Sequence, residues 1–539
     1  MSRPHLRWTK RFSWKKSDGS GSAPIRDVHF TIEQLGRHAV SLAGEHAIDL
    51  QRGANELLLR LTANEKALTE AYHLVSASES RQLTLDGEWL LDNFYVIEQQ
   101  IRASRLYLPK TYSRELPRLL NGPQAGYPRV YSIALELIAH SEGHVDMESV
   151  SRFLADYQTV SPLNLGELWA VPIMLRLGLI ESLRRVSEHI ARRRQDRNLA
   201  NIWADRLINA QPTKGKVLHV LAEMDESAPT LSHHFVEAFS TRLQGRGPEL
   251  ATVQSWLQHQ LSAEGLTREQ LQRVENQIQA GDQVLIGHSI GSLRSLGAMD
   301  WKQFVESLSL VEKKLCTDPC GIYPRMDFAT RDRYRHRIET LAREAGVAEI
   351  EVAAAAVRLA GEQASGEAAD ARKNHVGYYL IDQGEVALER ALKARLSFRR
   401  KLARWVQQCP VLVYIGSLGA ITLAATVSGW GLAGFLNLQD WRLWILLLPA
   451  LLVASQMAVS LVNVATTLIV GPRPLPRLDF LKGIPDAERT MVVVPTLLGD
   501  PQSIADLLEG LELRYVGNRD PNLTFALLTD LCDAREECQ

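Results

Sequence analysis

The sequence predicts a mainly α protein: a large helical N-terminal region, a two-helix transmembrane hairpin, and then the start of an α/β domain. Three observations predict it. Residues 411–438 and 443–470 are two uncharged apolar runs, separated by a link that carries Asp440 and Arg442. About 20 apolar residues suffice to cross a bilayer as a helix. Residues 28–400 carry apolar side chains at helical spacing with little sustained alternation. Residues 490–539 change texture, with β-branched runs around one helical segment.

The hairpin follows from length and flanks. Gly, Ser, Thr, Gln456 and Asn463 inside the runs are tolerated in membrane helices where they face a neighbouring helix. Trp430, Trp441 and Trp444 sit near the link, where interfacial aromatics belong. Arg390, Lys393, Arg395, Arg399, Arg400, Lys401 and Arg404 precede the first run, and Arg473, Arg477 and Lys482 follow the second. The link has Arg442 alone. The positive-inside bias then places both large flanks in the cytoplasm.

The totals exclude some classes. The 539 residues suggest three or four structural units. Lys+Arg is 61 and Asp+Glu is 62, so no global field points to nucleic acid. Five cysteines in so long a chain make no disulfide framework. Cys316 and Cys320 lack a second ligand pair at metal-site spacing and read as structural or surface thiols. Residues 1–27 are basic and polar with no apolar core, and read as a disordered cytoplasmic start, not a secretory signal.

Within 28–400, the stretches 35–61, 65–83 and 89–101 read as amphipathic helices. Pro109, Pro117, Pro123 and Pro128 punctuate a loop-rich connection before a helix over 130–140. The apolar part of 165–180 is too short to be a third span, so it reads as a buried helix running into the Arg-rich stretch 181–194. Arg184, Arg185, Arg192, Arg193 and Arg194 read as a solvated face, with anionic lipid headgroups as the alternative. The run 328–337 mixes charges and suggests ion-paired packing. Gly287-His288-Ser289-Ile290-Gly291 matches a nucleophile elbow, but no strand series surrounds it; a Gly-containing turn between helices is the expectation.

After the hairpin, 471–489 is a Pro-rich, stiff linker. Residues 490–495 read as a buried parallel strand, Asp500-Pro501 opens a helix, and 523–528 is a second strand. This is one β-α-β unit, the opening of a nucleotide-binding layer. Ligands in such sheets sit at the carboxyl ends of strands, which singles out Pro495, Thr496, Thr529, Asp530 and Asp533. A carboxylate there accepts hydrogen bonds from a base or ribose, or helps hold a divalent cation; the other reading is that Asp530 and Asp533 cap the next helix. A lone unit of this size is too small to be stable by itself, which favours a fragment of a longer protein.

Several phrases in fixed order resemble the cyclic β-1,2-glucan synthase family. They include Gly87-Glu88-Trp89-Leu90-Leu91-Asp92-Asn93-Phe94, Gly126-Tyr127-Pro128-Arg129-Val130-Tyr131 and the stretch 165–176. Ser307-Leu308-Ser309-Leu310-Val311-Glu312, the stretch 326–335 and His375-Val376-Gly377-Tyr378-Tyr379-Leu380 follow, and then Val494-Pro495-Thr496-Leu497-Leu498 and Thr529-Asp530. The resemblance implies a multi-pass bacterial inner-membrane enzyme with its N- and C-terminal parts cytoplasmic. It implies an A-type glycosyltransferase-like domain that uses UDP-glucose and a divalent metal (Mg or Mn) to extend a β-1,2-glucan. By that likeness Thr496 and Asp530 contact the uridine, with Asp533 a weaker candidate. No catalytic residue and no metal ligand of the family falls in these residues, so the chain as given is expected to be inactive. A non-catalytic membrane adaptor or glucan-binding fragment is the alternative.

Overall fold

The computed structural model describes residues 28–531 apart from 50–52, 54–55, 78–83, 109, 211–213, 228–230, 246–250, 264, 266, 365–370, 395–399, 401–403, 407, 436–441, 471–473 and 499–500. The N-terminal stretch 1–27, the link between the apolar runs, Asp500 and Asp533 therefore lie outside the described residues. The chain is mainly α, as the periodicity predicts, and divides into two compact units, 1–310 and 311–539.

The first unit is built from α1 (Ile32–Glu45), β1 (Ile48–Asp49), α2 (Glu56–Ser76), α3 (Leu85–Tyr107), α4 (Lys110–Glu115), β2 (Arg118–Leu119), α5 (Arg129–His140) and α6 (Met147–Gln158). The long α7 (Leu165–Ala210) follows, then α8 (Lys214–Ser227), α9 (His233–Leu243), α10 (Ala251–Ala263), α11 (Arg268–Ser295) and α12 (Trp301–Leu308). The loop-rich connection expected around Pro109–Pro128 holds α4 and a short antiparallel pair of β1 with β2.

The axis of this unit is α7, 46 residues long with Pro172 inside it. Its first half is apolar on nearly every face because α2, α3, α5, α11 and α12 pack around it. It is thus a core helix, as the brevity of its apolar part predicts. Its second half carries a separate core with α8, α9 and α10, built on Trp203, Leu207, Phe235 and Phe239.

Arg184, Arg185 and Arg193 are not the solvated or lipid-facing stripe that composition suggests, whereas Arg192 is exposed as expected. Arg184 and Arg185 both donate to Glu181, at 3.0 and 3.1 Å. Arg193 donates to Asp86 at 2.6 Å and to Asp282 at 2.8 Å, and lies 2.7 Å from Glu275. Partners from α3 and α11 turn Arg193 into internal wiring, and Glu181 of the same helix holds Arg184 and Arg185. A buried charge that lacks such partners costs several kcal/mol.

The expected turn at Ser289 is overturned as well. Gly287 and Ser289 lie inside α11, a continuous helix opened by a Thr267/Gln270 capping box. Ser289 is fully buried, and a Cβ on Gly143 would stand 2.6 Å from its Oγ. Gly143 has φ +77°, so the turn after α5 needs glycine both for its backbone and for this approach. Ser289 thus serves close packing against Gly143, and among the described residues no strand directly precedes it to make an elbow.

Acid sensitivity is built into the α1–α6 contact. His46 Nδ1 lies 2.9 Å from the Tyr157 hydroxyl. Burial first, and the Arg129 charge second, hold its pKa below the ordinary 6.5. Below pH 6.5 the unfolded chain binds a proton that the folded chain refuses, so this contribution to stability is lost as the pH falls. Melting scans between pH 7.5 and 5.5 are expected to show a smaller drop for His46→Gln than for the parent chain.

The second unit starts with α13 (Leu310–Leu315), α14 (Phe328–Ala345), α15 (Glu349–Ala364), α16 (Val376–Ile381) and α17 (Glu385–Ala391). Their core gathers Tyr323, Tyr334, Ile338, Leu341, Val352, Ala356 and Leu380. Next come α18 (Pro410–Phe435) and α19 (Arg442–Ile469), which pack on each other. The Tyr414 hydroxyl donates to Asn463 Oδ1 at 2.9 Å, which gives the polar Asn463 its partner across the pair. Both helices contain segments long and apolar enough to cross a membrane, with mean hydropathy 1.8 and little burial inside the protein. The chain ends in β3 (Thr490–Leu498), α20 (Pro501–Gly517) and β4 (Leu523–Leu531).

The charged run 328–337 is ion-paired, as its mixed signs predict. Arg331 and Arg335 each meet Glu312 at 2.7 Å, and the Tyr323 hydroxyl donates to the same carboxylate at 2.6 Å.

Candidate functional site

The β-α-β unit forms because β-branched Val492, Val493 and Val494 favour an extended strand, and Pro501 starts the crossover helix where its missing N–H costs nothing. The two strands pair in parallel, with Thr490 opposite Leu523, Thr496 opposite Thr529 and Leu497 opposite Asp530. Side chains alternate along a strand. Thr496 and Thr529 therefore share one face of the layer, while Asp530 belongs to the other. Thr496 is half-buried and Asp530 is exposed at the strand end. The register thus places a pair of hydroxyls on one side and a carboxylate on the other, within two residues of the same carboxyl edge. Asp533 falls outside the described residues.

The opposite end of the strands is latched. Asp520 accepts from the Ile484 and Asn522 amides, each at 2.8 Å. Asn522 donates to the Ile484 carbonyl at 2.8 Å and to Asp486 at 2.9 Å. Gly483 has φ +101°, and a Cβ there would press Asp520 Oδ2 at 3.3 Å. Polar groups thus fix the amino end of the layer, and the carboxyl end carries the candidate residues.

The linker is more than a stiff spacer. Leu478 bridges Met326, the Asp327 amide donates to the Arg477 carbonyl at 2.9 Å, and the Asp479 amide donates to the Arg325 carbonyl at 2.8 Å. The Arg477 amide donates to Thr330 Oγ1 at 3.1 Å, Arg333 donates to the Pro474 carbonyl, and Arg325 pairs with Glu488 at 2.9 Å. The chain leaving α19 is therefore strapped to the start of α14.

The chain entering α18 is held by the same helix bundle. Arg404 makes a bidentate pair with Glu389 at 2.7 and 2.9 Å. Arg400 lies 3.1 Å from Glu389 and also pairs with Glu344 and Glu385. Two cations of the basic approach are thus bound to carboxylates of α14 and α17. Sequence reasoning missed these anchors because the partners of Arg325 and Arg477 lie about 150 positions away in the chain. The mixed-charge run was the one local signal.

Two of the quoted sequence phrases meet in space, and another is held by a residue outside them. Arg129 of the second phrase forks onto Glu167 of the third, at 2.5 and 2.6 Å, with both side chains buried. In the other unit, Asp318 accepts from the Val376 amide at 3.0 Å and meets His375 at 2.7 Å. These contacts join segments far apart in the chain, and they are structural wiring rather than a cleft of reacting groups.

No family model matches the chain. It is 31% identical over 521 residues to the cyclic beta-(1,2)-glucan synthase NdvB of Rhizobium meliloti (strain 1021). The match covers 95% of this chain and 18% of that relative, so the chain spans less than a fifth of its length. Together with the two apolar helices, this likeness points to membrane association. On identity sustained across nearly its whole length, the chain is similar to a portion of that cyclic β-1,2-glucan synthase, which supports the resemblance to the N-terminal part of this family that the sequence phrases carry.

Proposed function

We propose that this chain anchors, and begins, a transferase that moves glucose from UDP-glucose onto a growing β-1,2-glucan at the inner face of a bacterial inner membrane. The observation that carries the reading is the double attachment of the hairpin. Arg400 and Arg404 before α18, and residues 474–488 after α19, all reach the α13–α17 bundle. A pair of membrane helices whose two flanks touch one helical body has both flanks in one aqueous compartment. A nucleotide sugar is cytoplasmic and too polar to enter a bilayer, so its site belongs on that side, close to the lipid surface.

Thr496, Asp530 and Asp533 are the proposed uridine contacts. A hydroxyl and a carboxylate at strand ends accept hydrogen bonds from a base or ribose. The divalent metal (Mg or Mn) that such a transferase needs does not fit the described residues. Among them the carboxyl edge offers one carboxylate, Asp530, where such an ion takes several oxygen ligands.

In membranes that carry the complete gene product, Asp530→Asn is expected to lower incorporation of labelled glucose at limiting UDP-glucose by about tenfold or more. That is the scale of one lost charged hydrogen bond. Thr496→Val should act in the same direction and less strongly. Unchanged incorporation in both variants would sink the uridine assignment. Single cysteines at Ser227 and Gln502 should react with impermeant reagent from one face only, and labelling from opposite faces would sink the topology.

A further inference from the structure

His38 on α1 and Glu136 and His140 on α5 form a cluster that none of the preceding argument uses. Their ligating atoms all lie within 4.8 Å of one another. His38 Nε2 is 3.2 Å from Glu136 Oε2, and His140 Nε2 is 3.7 Å from the same oxygen. Ligands about 2.0–2.1 Å from a tetrahedral zinc stand about 3.3 Å apart. The two separations from Glu136 lie on either side of that spacing, and the third stays within 4.8 Å. Glu136 and His140 are four residues apart on one helix, so both project from the same face.

The surroundings suit a metal better than a plain ion pair. His140 Nδ1 donates to the Val28 carbonyl at 2.9 Å. That bond puts the proton on Nδ1 and leaves the Nε2 lone pair aimed at the cluster, the arrangement that orients metal-bound imidazoles. Phe30 stacks on the His140 ring at 3.9 Å and meets the His38 ring edge-on at 5.6 Å. The Phe30 amide also donates to the His140 carbonyl at 3.0 Å. The cluster is thus roofed by residues 28–30 on one side and keeps partial solvent access at His38 and Glu136.

We propose that His38, Glu136 and His140 bind a borderline divalent transition-metal ion, zinc being the probe of choice, with water at the fourth position. Two imidazoles and one carboxylate are a donor set suited to zinc rather than magnesium or calcium. The ion clamps α1 and the segment before it to α5. The site is separate from the transferase chemistry discussed above and stands whether or not that reading holds.

The test uses the full chain in detergent, purified without a histidine tag, stripped with chelator and titrated calorimetrically with zinc alone. One zinc per chain is expected, and zinc should raise the melting temperature. Glu136→Gln and His140→Gln are near in shape to the parent residues, and retained helicity by circular dichroism shows that they fold. Each should weaken zinc binding by at least about tenfold, the lower bound seen even for outer-shell partners. His288→Ala is the control, since His288 and His144 form a second histidine pair at 5.6 Å that is not part of the three-ligand cluster found among the described residues. It should leave zinc binding unchanged. Absence of binding, binding that survives both Gln variants within threefold, or equal loss in the control would each overturn the proposal.

Discussion

Glu312→Ala is expected to destabilise the α13–α17 bundle by about 3–5 kcal/mol, the range for removing one partner of a buried charge cluster. Glu312 is 3% exposed and takes Arg331, Arg335 and the Tyr323 hydroxyl on its two oxygens. The Arg335 side chain has no solvent exposure, and its remaining carboxylate partner, Asp332, stands at 3.2 Å. Burial, and after it the Glu312 charge, push the Tyr323 phenol well above its ordinary pKa, so it stays a donor across the working range. Without Glu312, two guanidiniums each lose a carboxylate partner at 2.7 Å, one of them on a side chain with no solvent exposure. The charge, not the volume, is the cause, so Glu312→Leu combined with Arg335→Met should recover much of the loss. Hydrogen exchange along α14 reads the effect directly. Because α14 also holds residues 474–478, the same variant should speed proteolysis within 474–489. Unchanged exchange in Glu312→Ala would mean that Asp332 suffices for Arg335.

What the sequence made legible is local. The two apolar helices follow from uninterrupted length, and their ends fall within a few residues of the expected 411–438 and 443–470. The β-α-β unit follows from β-branched strands and Pro501 at the helix start. The core character of α7 was legible from an apolar density that ends too soon for a membrane span. What was hidden depends on distant partners. Arg193 looks solvated until Asp86 and Asp282, 107 and 89 positions away, are placed beside it. Gly287 and Gly291 suggest a turn until the helix that contains them is seen to bury Ser289 against Gly143. The division of Thr496 and Asp530 between faces needs the pairing register, which alternation within one strand does not supply. Glu136 and His140 show their helical spacing in the sequence, whereas His38 joins them only through the packing of α1 beside α5 and α6.

Glu181→Gln is expected to cost about 3 kcal/mol at pH 7 and progressively less in acid, again on the scale of a broken buried ion cluster. Glu181 is fully buried on α7. Arg60 of α2 forks onto it at 2.9 and 3.2 Å, and Arg184 and Arg185 approach at 3.0 and 3.1 Å. Burial alone would raise its pKa, but the Arg60 hydrogen bonds and the charges of Arg60, Arg184 and Arg185 outweigh burial and hold the carboxyl well below the ordinary 4.5. A depressed folded pKa gives stability that is present above the unfolded pKa and lost as the pH falls through the folded value. The parent chain should therefore lose stability steeply below about pH 4.5, and Glu181→Gln should show a shallower slope there. The amide keeps the shape and one acceptor but neutralises none of the three guanidiniums. Arg184 retains Glu188 at 2.5 Å, so the loss falls mainly on Arg60 and Arg185. Arg60 also lies 5.4 Å from the Tyr127 ring centroid, so freeing it loosens the packing of α2 at the turn before α5. Denaturant midpoints at pH 7 and pH 3.5 measure both halves of the expectation. Parallel pH profiles for the variant and the parent would show that this carboxylate is not what ties acid stability to the packing of α2 on α7.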